Sequence, residues 1–192
     1  MKVGLYFGTF NPIHIGHVII ANHMAEYSEL EQIWMVVTPH NPFKNKSSLL
    51  ANYHRYELVY LALEKYPKIK PSDIEFKLPQ PSYTVDTLAY IGKKYPQHDF
   101  CLIMGEDNLY SLPKWKDYKV ILENHDIYYY PRIIAKKLKT SLVTHNKVHR
   151  VSAPVIEISA TSIRQGIKNN KNVSPMLSSE VWRYINEMNF YR

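Results

Sequence analysis

Two histidines three residues apart, His14 and His17, lie in the run Gly8-Thr9-Phe10-Asn11-Pro12-Ile13-His14-Ile15-Gly16-His17. An apolar stretch over residues 3–7 precedes it, and Val18, Ala21 and Ala25 follow at helical spacing, so the order reads strand, loop, helix. A helix start carries unpaired N–H groups and partial positive charge, so it can hold a phosphate, and Gly8 and Gly16 let backbone approach such a ligand closely. Residues three apart face the same way on a helical turn. Both imidazoles can therefore donate to phosphate oxygens and, when protonated, neutralise charge on a departing group. Taken alone, the pair also fits a metal site or a solvated surface. Zinc would need a third Cys, His or acidic ligand, and none stands nearby at a suggestive spacing, so no protein-bound metal is expected.

A second such start is Ile158-Ser159-Ala160-Thr161-Ser162-Ile163-Arg164. Ser159 can cap the helix, which leaves the Thr161 and Ser162 hydroxyls and the first-turn N–H groups free, while Arg164 can grip a phosphate with two donors. In isolation the segment reads equally as a capped surface helix with a solvated arginine.

Both motifs need a scaffold. Apolar runs at 33–37, 74–76, 100–104, 127–130 and 155–158 read as further strands, and helical spacing recurs at Tyr56, Val59, Tyr60 and Leu63, at Val85, Leu88, Ala89 and Ile91, and over 161–168 and 178–188. Strands alternating with helices argue for an α/β fold with a parallel sheet covered on both faces, and such sheets bind ligands beyond the carboxyl ends of their strands. A length of 192 residues suits one domain over 1–192, with a C-terminal helical segment from about 159. No apolar run approaches a membrane span, and the N-terminal one is too short for a signal peptide. One cysteine, Cys101, rules out an internal disulfide. A cytoplasmic protein with no membrane partner is the expectation. The excess of 24 Lys+Arg over 17 Asp+Glu favours an anionic partner of unspecified kind.

Together the two motifs resemble the nucleotidyltransferase superfamily that carries an HxGH and an ISxTxxR-type signature. That resemblance implies a Rossmann-like parallel sheet and transfer of a nucleotidyl group from a nucleoside triphosphate to a substrate phosphate, with Mg2+ present and pyrophosphate leaving. It implies that Gly8, Thr9, Phe10 and Gly16 line the approach of the triphosphate. His14 and His17 would stabilise it and the departing pyrophosphate, and Ser162 and Arg164 would hold the β and γ phosphates. No side chain need act as nucleophile, since in-line transfer is a matter of positioning and charge neutralisation.

The middle of the chain narrows the choice. Pro81-Ser82-Tyr83-Thr84-Val85-Asp86-Thr87-Leu88, Met104-Gly105-Glu106-Asp107 and Leu112-Pro113-Lys114-Trp115 resemble bacterial nicotinate-nucleotide adenylyltransferases, over nearly the whole chain. The resemblance implies ATP and nicotinate mononucleotide as partners. Thr84 and the backbone at Lys116 would receive the nicotinate carboxylate, Trp115 would pack on the pyridine ring, Gly105 would allow close approach, and Asp107 would accept from a ribose hydroxyl. Lys44 would face phosphates, and Arg132 would border the adenine site. Three departures from the family pattern stand out: Phe7-Gly8 in place of two glycines, Pro131-Arg132-Ile133 in place of Arg-Pro-Gly, and Lys116 in place of an aromatic residue. Nicotinamide mononucleotide and phosphopantetheine remain alternative acceptors, and cytidylyltransferases share the phosphate motifs. Class I aminoacyl-tRNA synthetases share His-Ile-Gly-His, but no Lys-Met-Ser-Lys-Ser loop is present. A non-enzymatic alternative is a nucleic-acid-binding module built on Lys136-Lys137-Leu138-Lys139, Lys147, His149 and Arg150. No nucleic acid is expected on the enzymatic reading, and a homo-oligomer is left open.

Overall fold

The computed structural model describes residues 1–39, 49–133 and 140–192. Six strands, β1 (Lys2–Gly8), β2 (Gln32–Val37), β3 (Ile69–Ser72), β4 (Asp99–Gly105), β5 (Ile127–Tyr130) and β6 (Val148–Arg150), form one parallel sheet in the order β3-β2-β1-β4-β5-β6. Parallel neighbours need crossover connections, and seven helices occur among the described residues: α1 (Ile15–Tyr27), α2 (Asn52–Leu63), α3 (Thr84–Lys94), α4 (Glu106–Ser111), α5 (Tyr118–Asn124), α6 (Ala160–Lys168) and α7 (Ser179–Glu187). The α/β fold with a parallel sheet expected from the alternation is the one observed.

Strand periodicity sorts the core into two layers. On β4, Phe100, Leu102 and Met104 face one side together with Leu88, Ile91, Leu109 and Ile121 from α3, α4 and α5. Cys101 and Ile103 face the other, with Ala21, Met24, Leu58, Ile163 and Val181 from α1, α2, α6 and α7. A sheet buried on both faces explains why its central strands read as continuous apolar runs instead of alternating ones.

Two expected strands are absent. Residues 74–76 lie in a short 3-10 turn, Ile74–Lys77, because the third strand comes earlier as Ile69–Ser72. That strand contains Pro71, which has no N–H to donate and is tolerated at a sheet edge. Residues 155–158 have no regular structure, and Val155 is half exposed. The last strand is instead the three-residue Val148–Arg150 on the opposite edge, too short and too polar for periodicity to reveal. The helices α4 and α5 were likewise not anticipated. Those over 161–168 and 178–188 occur as α6 and α7, each opened by a serine side chain, Ser159 or Ser178, that accepts from a first-turn N–H.

The strand order reverses between β1 and β4, the switch point at which doubly wound sheets open a crevice. Tyr6 pairs with Ile103, which brings Gly8 and Gly105 level two residues further on, at the carboxyl edge. Cys101 lies in the middle of this sheet, fully buried, and burial pushes its thiol up to about 12. The thiolate is the reactive species, so Cys101 in the folded protein should not react with a chromogenic disulfide reagent at pH 8, while one thiol per chain should react in denaturant. Rapid modification of native protein would contradict this packing.

Candidate active site

The first loop leaves β1 at Gly8 and enters α1 at Ile15. A Cβ at Gly8 would stand 2.7 Å from the Phe10 ring, so only glycine fits beside it. Phe10 has φ +44°, a left-handed conformation unfavourable for a bulky residue, and its side chain is only 2% exposed. Its ring meets His17 edge-on, with centroids 5.1 Å apart. Phe10 therefore serves as the floor under His17, and its side chain does not line an open approach.

His14 caps α1 and His17 follows within the first turn. The two rings stack at 3.7 Å with an interplanar angle of 23°, so the shared orientation expected from their spacing is observed. The His14 N–H donates to His17 Nδ1 at 3.3 Å, and in the neutral tautomer this leaves the His17 proton on Nε2. His14 is 7% exposed, and its Nδ1 has no hydrogen-bond partner among the described residues. Burial, with a smaller contribution from the Arg132 charge, lowers its pKa to about 4. His14 is thus an uncharged ring at neutral pH, where the charge neutralisation expected of a protonated ring is not supplied by it. His14, Gly16, His17 and Arg132 line one narrow crevice, closed beneath by Tyr6 and Tyr130, whose hydroxyls share a 2.8 Å hydrogen bond. A Cβ on Gly16 would come within 3.1 Å of the His14 ring and 3.2 Å of Ile156.

The second helix start reaches this loop directly. Arg164 donates to the Asn11 carbonyl at 2.8 Å, across 153 residues of sequence, and to the Thr161 hydroxyl at 3.3 Å. Ser162 is exposed; its N–H donates to Ser159 Oγ and its hydroxyl to the Ser159 carbonyl. The two motifs are one site.

The mid-chain residues gather beside it. Gly105 ends β4, Asp107 sits in the first turn of α4, and Arg132 lies beside both, its Nε 3.8 Å from Asp107 Oδ1 and its Cγ 3.1 Å from where a Gly105 Cβ would be. Thr84 opens α3. Two residues on, Asp86 binds the Lys116 ammonium at 2.9 Å, and that ammonium lies 4.9 Å from the centre of the Tyr83 ring. The α3 start and the segment after Trp115 are therefore joined by a side chain for which only a backbone role was expected. Trp115 is half-buried and packs against the core on the α3 side of the sheet. Lys44 and residues 136–139 lie outside the described residues. The larger cavity, about 410 Å³, lies to one side between α1, α2 and the start of α7; among its polar wall groups, Lys65 and Glu180 neutralise each other.

Three polar residues that hold the site together went unnoticed in the sequence. Asn11 Oδ1 accepts from the Leu50 N–H and from the Tyr191 hydroxyl. Arg55 is fully buried on α2 and donates to carbonyls of the first loop and of the segment after β2. Glu75, 2% exposed, accepts from Thr87 of α3 at 2.7 Å, and burial raises its carboxyl above the usual range. A signal existed for Arg55, which occupies the first place of the apolar stripe Arg55, Leu58, Val59, Ala62.

A model of the family described as cytidylyltransferase-like matches residues 5–166. The chain is 66% identical to a protein of Christiangramia forsetii named "Probable nicotinate-nucleotide adenylyltransferase", over 100% of this chain and 98% of that one. It is 62% identical to a protein of Flavobacterium psychrophilum bearing the same name, over 100% of both. Its fold is similar to that of the Plasmodium falciparum nicotinic acid mononucleotide adenylyltransferase solved in complex with NaAD, with a TM-score of 0.81 at 19% identity, covering 99% of this chain and 97% of that one.

The buried state of His14 has a measurable consequence. Its folded pKa lies below the ordinary 6.5, so its contribution to stability is complete above pH 6.5 and is lost as pH falls toward 4, by about 3 kcal/mol. An NMR titration of the ring should give a midpoint near 4, and a midpoint near 6.5 would contradict the burial described.

Proposed function

From the premise that the chain belongs to the nicotinate-nucleotide adenylyltransferase family, we propose that it transfers AMP from ATP to nicotinate mononucleotide, giving deamido-NAD and pyrophosphate. The observation that carries this reading is the joining of the two phosphate-type helix starts through Arg164 and Asn11, at the switch point of the sheet and beside Gly105 and Asp107. In the reaction a phosphate oxygen of the mononucleotide attacks the α-phosphorus of ATP. A new P–O bond forms as the bond from the α-phosphorus to the bridging oxygen breaks, and that electron pair leaves with pyrophosphate.

Each group of residues has a part in that step. First-turn N–H groups of α1 and the His17 Nε2–H suit the charge that would develop on the leaving group, since fixed donors stabilise it without reorganising. Ser162, Thr161 and the free donors of Arg164 suit the outer phosphates. Arg132, next to Asp107 and Gly105, borders the nucleoside side. Thr84 at the α3 start, the Trp115 ring and the Lys116 segment suit an aromatic ring that bears a carboxylate, since a flat ring wants a stacking partner and a carboxylate wants donors at a helix start. The described residues contain no cluster of three His, Cys, Asp or Glu able to hold a metal. Mg2+ carried in by the triphosphate and water would supply neutralisation of phosphate charge here. No helix among the described residues is long and apolar enough to cross a membrane.

The reading is tested by pyrophosphate release with Mg·ATP and nicotinate mononucleotide, nicotinamide mononucleotide or phosphopantetheine in parallel. Release with the nicotinate form alone is expected; release with phosphopantetheine alone would overturn it. His17→Ala should lower kcat about a hundredfold with little change in either KM, because its contact strengthens in the transition state. Trp115→Ala should instead raise KM for the mononucleotide roughly tenfold, the scale of one lost stacking contact, and leave KM for ATP near wild type. The opposite pattern in the two variants would refute these assignments.

A further inference from the structure

We propose that Arg55 is a positioning residue for this transfer: its buried guanidinium fixes the peptide between Thr9 and Phe10 against the end of β2, and it lends that wall of the phosphate site a positive charge that no carboxylate among the described residues cancels. The inference rests on the adenylyl-transfer reading only for the choice of assay.

Arg55 is 0% exposed, and all five of its N–H donors are used. Nε donates to the Leu50 carbonyl at 3.0 Å, Nη1 to the carbonyls of Thr9 at 2.6 Å and Thr38 at 2.7 Å, and Nη2 to the Pro39 carbonyl at 2.8 Å and Asn52 Oδ1 at 2.7 Å. Stretches around residues 9, 38 and 50 are thereby locked in one geometry by a single planar group. An ammonium, with three donors in a tetrahedral arrangement, cannot reproduce this fork.

Every acceptor is neutral. Among the described residues no carboxylate pairs with Arg55, and burial lowers its pKa only to about 10, so it stays ionised at neutral pH. A buried charge without a counterion is a poor way to stabilise a core, and an apolar side chain of similar volume would do that better. Its position is suited to an anionic ligand instead. In a trans peptide the C=O and N–H point in opposite directions, so holding the Thr9 carbonyl toward Arg55 aims the Phe10 N–H away from it, on the far side of the loop. The same hydrogen bond restrains the left-handed Phe10, whose ring is the floor under His17. Loss of the fork frees the peptide, then Phe10, then the imidazole, and a displacement of about 1 Å in a catalytic group can cost a hundredfold in rate.

Arg55→Lys and Arg55→Ala test the proposal. Both are followed by pyrophosphate release, by thermal unfolding, and by equilibrium binding of ATP and adenosine. Folded Arg55→Lys should lose about a hundredfold in kcat, with KM for the mononucleotide within about threefold of wild type. ATP should bind severalfold more weakly while adenosine binds unchanged, because the defect lies at the phosphates. Guanidinium at roughly 20 mM should recover at least tenfold in kcat for Arg55→Ala and leave wild type unaffected, since it can re-enter the vacated site. The proposal is overturned by wild-type kcat in Arg55→Lys, by a raised mononucleotide KM at constant kcat, by equal losses for ATP and adenosine, or by lost activity that tracks lost fold and does not respond to guanidinium. If wild type itself releases no pyrophosphate with nicotinate mononucleotide, the acceptor reading fails, and the comparison of ATP with adenosine still decides the role of Arg55.

Discussion

A loop that offers its N–H groups to an anionic ligand turns carbonyls the other way, into the protein, where each must find a donor. Around the first loop those donors come from far along the chain. The Gly8 carbonyl accepts from the Thr38 N–H, the Thr9 carbonyl from Arg55 and the Asn11 carbonyl from Arg164, while the Asn11 side chain accepts from Leu50 and Tyr191. Two arginines and a tyrosine thus form the inner surface of a loop whose outer surface we propose as the phosphate site. Burial makes each of these bonds costly to lose, because a carbonyl left without a donor in the interior has no water to turn to.

The sheet makes the arrangement possible. All six strands run the same way, so every strand-to-helix loop emerges at one edge, and the reversal of strand order between β1 and β4 keeps two of those loops from packing on each other. Glycine stands at the end of both strands, with Phe10 close to Gly8 and Arg132 close to Gly105. His14 pays the clearest cost of site construction: capping a helix inside a crevice, it loses most of its hydration and its capacity to charge near neutrality. On the proposed reading an incoming triphosphate would favour the protonated ring, and substrate binding and protonation of His14 would then be thermodynamically linked.

The chemistry was more legible in the sequence than the sheet edges were. His14, His17, Ser162 and Arg164 sit in short runs whose spacing reports a helix start, and helix starts obey local rules that survive in one dimension. The central strands β1, β2, β4 and β5 were legible because burial on both faces leaves an unbroken apolar run. Ile69–Ser72 and Val148–Arg150 carry no such run, since an edge strand is half solvated and only three or four residues long. Residues 74–76 and 155–158, largely apolar without being strands, show that a short apolar run does not fix conformation, and Val155, half exposed, shows that it does not fix burial either. The partners of Arg55, Asn11 and Tyr191 were illegible for a different reason: they lie 46, 153 and 180 residues away, and no local pattern records a hydrogen bond at that range, although the apolar stripe of α2 marks Arg55 as buried. The neutral state of His14 is likewise a property of the assembled crevice and not of its neighbours in sequence.

In the transfer proposed above, the described side chains position phosphate or stabilise charge on it, and none is assigned as a nucleophile. The claim that the site works by holding and not by bonding is tested most directly by stereochemistry at the transferred phosphorus. With ATP made chiral at the α-phosphorus by sulfur substitution, a single in-line displacement predicts inversion of configuration in the dinucleotide product. Retention would require two displacements and a covalent adenylyl-enzyme, and would contradict the direct transfer described here.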